Sequence, residues 1–244
     1  MAATMATMGQ GRGSAARQRK EAHVAHLLHI NTSARTAGSI SRQLTAEFAA
    51  HWRGTHPEGV VTYRDLATAP VPHIPEATVA AMFIPPAART PEQRQATALQ
   101  EALIAELAAA DTLLLGAPMY NFNIPSVLKA WLDHVVVFGR TVGQGLFDGT
   151  RVVIASARGG AYGPGTPREA FDYQERYLRD IFGLIGLTDI TFTHAEMRAA
   201  AEGDPRLAQF VPFAAESLAA ARATMLAEAA RPSAIPAPQP GALP

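Results

Sequence analysis

Residues 111–116, DTLLLG, are a short apolar run bounded by turn residues, the pattern of a strand buried on both faces of a parallel sheet. Such a strand needs helices above and below it, so this segment already points to a layered α/β fold. The residues after it are less ordinary. Pro118 ends the strand, and Met119, Tyr120, Asn121, Phe122 and Asn123 bring stacking surface and amide groups that a plain connection does not need. Pro125 suits a first helical turn, where its missing N–H costs nothing, and Val127, Leu128, Trp131, Leu132 and Val135 then recur at helical spacing. The loop is therefore held at both ends, at the kind of junction where α/β folds hold planar cofactors.

The rest of the chain repeats the pattern. Strands are predicted at 23–30, 59–66, 111–116, 151–156 and 188–194, the second more polar and so nearer a sheet edge. Helices are predicted at 39–53 with Gly54 as its stop, about 91–109, from Pro125, about 167–185, and from Pro205 to about Ala230. Thr90, Pro91 and Gln93 read as a capping box. The Pro-rich connection 67–90 is long for a compact domain and has room for a short helix at 77–83. Strands alternating with helices give a doubly wound parallel sheet, for which the five-stranded flavodoxin-like order 2-1-3-4-5 is the natural candidate. In that order the loops after strands 1, 3 and 4 are neighbours, and these three carry the unusual chemistry.

Composition narrows the function. Lys and Arg total 21 and Asp and Glu total 21, so no net field favours nucleic acid or an anionic membrane surface. The chain has 0 cysteines, which removes disulfides, thiolate metal sites and thiol nucleophiles and accords with a cytoplasmic location. No apolar run reaches membrane-spanning length. Residues 1–22, with Arg12, Arg17, Arg19 and Lys20 against Glu21, read as a flexible extension or a targeting segment. The Pro-rich stretch 232–244 reads as an extended tail, which leaves 23–231 as a single domain.

The first loop places Ser33, Ser39 and Ser41 at a helix start, where hydroxyls and free N–H groups suit a phosphate dianion, although Ser39 alone reads equally as a helix cap. Arg158, Gly159 and Gly160 either bring backbone N–H groups up to a flat ligand or form a simple surface turn, and Tyr162 either lines that site or packs. Together the three loops match the phosphate, ring edge and pyrimidine side of FMN. No GxSxG elbow or clustered histidine supports hydrolysis, and His23, His26 and His29 lack a local acid for a metal site. Trp52 and Trp131 read as core, and Asp133 and His134 as solvated or interface residues.

At SARTAGSIS (33–41), PMYNFNIPSVLKAWLDH (118–134), ARGGAYG (157–163) and YLRDIFGLIGLTDITFTHAE (177–196), the chain resembles the FMN-dependent NADH-azoreductases, also described as NADH:quinone oxidoreductases. The resemblance implies that Ser33 and the group Ser39, Ile40 and Ser41 bind phosphate. It implies that Met119, Tyr120, Asn121 and Phe122 hold the ring edge, and that Ala157, Arg158, Gly159 and Gly160 hold the pyrimidine side. Ala157 stands where the family commonly has serine, so a backbone contact survives the change and a hydroxyl contact is either lost or supplied by Ser156, one residue earlier. Thr141-Val142 departs from the usual Thr-Phe of the substrate pocket. The implied activity is a ping-pong transfer of two electrons from NADH or NADPH through FMN to an azo compound or quinone, in a homodimer with both sites at the interface and no catalytic side chain. An electron carrier or a flavin-binding regulatory protein is the alternative class; a carrier usually docks through a charged face, which the balanced charge does not suggest.

Overall fold

The computed structural model describes residues 24–232, so the expected extension at 1–22, His23 and all but the first residue of the proline-rich tail lie outside the described residues. Five parallel strands, β1 (His26–Asn31), β2 (Val60–Asp65), β3 (Thr112–Gly116), β4 (Arg151–Ala157) and β5 (Ile190–Ala195), pair in the order β2-β1-β3-β4-β5. This is the doubly wound flavodoxin-like arrangement. Leu113, Leu114 and Leu115 of β3 are fully buried, whereas edge strand β2 exposes Val60 and Tyr63.

Successive residues along a strand point to opposite faces, so the sheet sorts its apolar side chains into two cores. Leu28, Ile30, Leu113, Leu115, Val152 and Ile154 meet Leu103 and Leu107 of α3 (Pro91–Ala108), Trp131 of α4 (Ser126–Val135) and Phe182 of α5 (Tyr173–Leu184). Leu27, Leu114, Val153 and Ala155 meet Leu44, Phe48 and Trp52 of α1 (Ile40–Thr55) and Met225 of α7 (Val211–Ala229). Both tryptophans are core residues, as the helical spacing suggested.

Local signals placed most helix ends. Thr90 Oγ1 accepts from Gln93 N while Gln93 Oε1 accepts from Thr90 N, which completes the expected capping box. The expected short helix in the connection is α2 (Glu76–Met82). Other boundaries move. Pro125 caps α4 from outside, with a φ of −60° and a ψ of 145°, instead of forming its first turn. Helix α1 passes through Gly54 and ends at Thr55, because the N–H of His56 still reaches Trp52 O. The helix expected from 167 starts at Tyr173, where the Asp172 carboxylate accepts from the N–H groups of Gln174 and Glu175. The helix expected from Pro205 opens as a 3-10 turn at Pro205–Phe210 before α7 begins, and an unexpected short helix, α6 (Arg198–Ala201), precedes it, so more helices flank the sheet than the simple alternation gave.

Candidate cofactor-binding site

Strands β1, β3 and β4 end side by side, and their carboxyl-terminal loops form one continuous rim. At β1 the pairing runs past the strand, since Thr32 gives both its N–H (3.0 Å) and its hydroxyl (2.8 Å) to Gly116 O. A Cβ on Gly116 would stand 2.3 Å from Asn31 Oδ1, so any larger residue there displaces that amide. The loop then turns into α1 at Ser39, whose Oγ accepts from Arg42 N at 3.4 Å and lies 3.3 Å from Ser41 Oγ. Ser39 is thus a helix cap, and Ser33, Ser39 and Ser41 are all buried. The first turn of α1 holds no acidic residue. The N–H groups of Ile40 and Ser41 find no acceptor among the described residues, so a dipole end with free donors faces the rim.

Arg42 keeps this loop in shape, a role that sequence reasoning missed. Its Nη2 donates to Ser33 O (2.8 Å), its Nε donates to Arg35 O (3.0 Å), and the guanidinium forks onto both Asp65 oxygens at 2.7 and 2.8 Å. The hydrogen bonds from Arg42 lower the Asp65 pKa, and the same pair raises that of Arg42. The signal was a basic residue one turn into a helix and an acid at a strand end, which has meaning only once β1 and β2 are paired.

The second loop contains local strain. Tyr120 and Asn123 exchange two backbone hydrogen bonds (2.9 and 3.0 Å) across a two-residue turn, and Asn121 and Phe122 have φ of 49° and 69°. Tight turns of this hand favour Asn and Gly, so a phenylalanine in the left-handed region is held there against its own preference. Tyr120 Oη accepts from Ala34 N at 3.1 Å and ties this loop to the first. The Phe122 ring meets Tyr162 edge-on at 6.1 Å and Phe171 at 5.4 Å. Met119 N donates to Ala157 O at 3.0 Å, which joins the second loop to the third.

In the third loop side chain and backbone separate. The Arg158 side chain is buried and points inward: Nε donates to Ser156 Oγ (3.2 Å), and Nη1 lies 2.8 Å from Asp172 and 3.5 Å from Glu196. Its N–H is taken by Ala195 O, and the carbonyls of Arg158, Gly159 and Gly160 accept from Arg198, Ala199 and Met197. The N–H groups of Gly159 and Gly160 have no acceptor among the described residues and are the donors this loop offers. Ser156 does not replace the missing hydroxyl at Ala157; its Oγ donates to Gln174 Oε1 at 2.6 Å on the α5 side of the sheet. Gln174 in turn donates to the carbonyls of Ala117 and Pro118, so it braces the second loop from behind. Glu196 Oε1 accepts from Tyr162 N at 2.8 Å and holds that ring at the rim.

One residue near α4 differs from expectation. His134 is buried, with Nε2 3.0 Å from Pro72 O, because the long connection folds back over α4; Asp133 pairs with Lys129. Thr141 is buried too, its hydroxyl accepting from Val137 N (2.9 Å) and donating to Val135 O (2.8 Å), and so serves the chain turn after α4.

The profile of the flavodoxin-like fold family matches residues 25–217. An FMN-dependent NADH:quinone oxidoreductase from Frankia casuarinae is 46% identical over 205 residues, 81% of this chain and 97% of that protein. A second, from Trichormus variabilis, is 51% identical over 180 residues, 71% of this chain and 87% of that one. The chain belongs to the FMN-dependent NADH:quinone oxidoreductase family. The crystal structure of an azoreductase from Bacillus anthracis str. Sterne superposes with a TM-score of 0.72 at 23% identity, covering 84% of this chain and 99% of that one, and shares the fold. Membership covers the whole rim from Ser33 to Glu196. Among the described residues no helix is long and apolar enough to cross a membrane.

Proposed function

We propose that this chain is an FMN-dependent NAD(P)H oxidoreductase that reduces quinones and azo compounds. The observation that carries the reading is the set of uncommitted backbone donors on adjacent strand ends, at Ile40 and Ser41 and at Gly159 and Gly160, on either side of a strained aromatic turn. Those donors fit FMN. The helix end with Ser33, Ser39 and Ser41 would hold the phosphate dianion, the Met119–Phe122 turn the ring edge, and the glycine N–H groups the pyrimidine side. Ala157 and Arg158 contribute by backbone position and by bracing, not by side-chain contact.

When bound, FMN supplies two-electron redox chemistry between a nicotinamide donor and a quinone or azo acceptor. With a quinone the balance is NADH plus one proton plus quinone giving NAD⁺ plus hydroquinone. The protein binds, orients and partly dries the reacting groups. Phe122, Tyr162 and Phe171 form an aromatic wall beside the ring site. No side chain is assigned to proton transfer, and solvent supplies the proton. Donor and acceptor react with the flavin in turn, which gives ping-pong kinetics.

The chain works as a homodimer in this reading, because Phe122, Phe171 and Tyr173 leave a partly exposed apolar surface at the mouth that a second copy would cover. Dependence on a cellular nicotinamide pool places it in the cytoplasm. The deciding experiment is the absorption spectrum of the purified protein after incubation with FMN, followed by NADH consumption with menadione or an azo dye. A colourless protein refutes the reading, and full FMN occupancy without turnover leaves a carrier or a regulatory protein. Sedimentation should give twice the chain mass; a fully active monomer excludes an interfacial site.

A further inference from the structure

A cavity of about 820 Å³ opens beside Gly159 and Gly160, between the third loop and the segment that runs from α6 into α7. Its walls are mostly apolar, with Tyr162, Met197, Leu207, Phe210 and Phe213. Two arginines reach it, and they differ. Arg206 is neutralised by Asp204, with Nε and Nη2 at 3.0 and 2.7 Å from the carboxylate oxygens. Arg168 has no side-chain hydrogen bond or ion pair among the described residues, although its backbone carbonyl is fixed by Phe171 N at 2.9 Å. Its Nη1 lies 3.0 Å from the point that a Cβ on Gly160 would occupy, so the guanidinium is set against the glycine backbone. Of the nearby acids, Glu169 accepts from Gly165 N and Asp172 pairs with Arg158, and neither forms an ion pair with Arg168. The cavity therefore combines mostly apolar walls with one exposed guanidinium that no carboxylate pairs among the described residues.

We propose that this cavity seats the electron acceptor, and that Arg168 selects acceptors that carry a sulfonate or carboxylate on their aromatic ring. The proposal rests on the reading that FMN lies against Gly159 and Gly160, since that shared wall brings an occupant next to the flavin. Tyr162, Phe210 and Phe213 offer aromatic surface to a planar arene, and a guanidinium fork matches the oxygens of a single anionic substituent. A nicotinamide donor carries its charges on a pyrophosphate, which an arginine also binds, so the KM for NADH in an Arg168 variant separates the two occupants. Arg168 is a specificity residue in this scheme and takes no part in electron transfer.

Methyl orange and 4-dimethylaminoazobenzene share one chromophore and differ by a sulfonate, which makes them a matched pair. Their binding to the oxidised, FMN-loaded protein is measured by equilibrium dialysis without a donor. In Arg168→Gln the dissociation constant for methyl orange should rise about tenfold, while that for the neutral dye stays within about twofold. Arg168→Lys should recover most of the loss, and flavin absorbance and KM for NADH should be unchanged in both variants. Equal weakening of both dyes, or no change in either, overturns the proposal, and so does a raised KM for NADH with dye binding intact. A wild-type chain that takes up no FMN refutes the flavin reading and the acceptor placement with it. A flavin-loaded wild-type chain that binds the two dyes equally refutes this inference alone.

Discussion

Lowering the pH from 7 to 4.5 is expected to remove about 2.5 kcal/mol of stability through one side chain, His29. His29 is buried on the α1 face of β1, and its pKa is lowered from 6.5 to about 4, by burial first and then by the positive charges of Arg53 and Arg42, with Asp65 opposing them. The hydrogen bonds agree. Asn31 Oδ1 accepts from Thr45 Oγ1 at 3.1 Å, which turns Asn31 Nδ2 toward His29 Nε2 at 3.3 Å. The imidazole nitrogen must accept there, and a proton on it would set two donors face to face. Above pH 6.5 the ring is neutral in both the folded and unfolded chain and carries no penalty. Below it the unfolded chain takes up a proton that the folded chain refuses, so stability falls until about pH 4, where both are protonated. At pH 4.5 nearly two decades of proton binding separate the two states, which is about 2.5 kcal/mol. The assay is urea unfolding of the flavin-free protein at several pH values between 7 and 4.5, because bound ligand would add its own linkage. His29→Gln keeps an acceptor for Asn31 and removes the titration, so its stability should depend less on pH by that amount. If the variant loses stability on acidification as steeply as the wild type, the assignment to His29 is wrong.

Ser39→Ala should weaken FMN by about 1.5–3 kcal/mol, the scale of one hydrogen bond to a charged acceptor; fluorescence titration measures it, and unchanged affinity would leave Ser39 only its cap of α1. Gly116→Ala should lower stability by about 1–3 kcal/mol, as expected for overpacking, because the added methyl meets Asn31 Oδ1 at 2.3 Å; an unchanged melting temperature would contradict that contact. Glu175 has its pKa lowered from 4.5 to about 2, first by the hydrogen bond from His194 and also by Arg179. The stability it contributes is present above pH 4.5 and lost as the pH falls through about 2, so Glu175→Gln should flatten acid unfolding in that window and leave the range above it alone.

Much of the site was legible because its parts are local. The serine-rich helix start, the aromatic amide turn and the double glycine each occupy a few consecutive residues, and their nearness follows from the order in which strands 1, 3 and 4 pair. Arg158 shows the limit of such reading. Beside two glycines it looks like a ligand contact, yet its guanidinium lies under the sheet end between Asp172 and Glu196, partners 14 and 38 positions further on (172 − 158 and 196 − 158). His134 likewise looked solvated from its neighbours, and it is buried because a carbonyl 62 residues earlier covers it.

By itself the sequence determined the five strands and their order, the caps at Ser39 and Thr90 and which three loops meet, because periodicity and capping act over one or two turns of chain. The tertiary structure alone decided what each polar group does once it is there. It set Arg42 onto Asp65, turned Ser156 toward Gln174, forced Phe122 into the left-handed region and left Arg168 without a partner among the described residues. Those outcomes depend on which distant groups the crossovers bring into reach. A buried donor or charge takes whatever partner the fold supplies, and spacing along the chain carries no record of it.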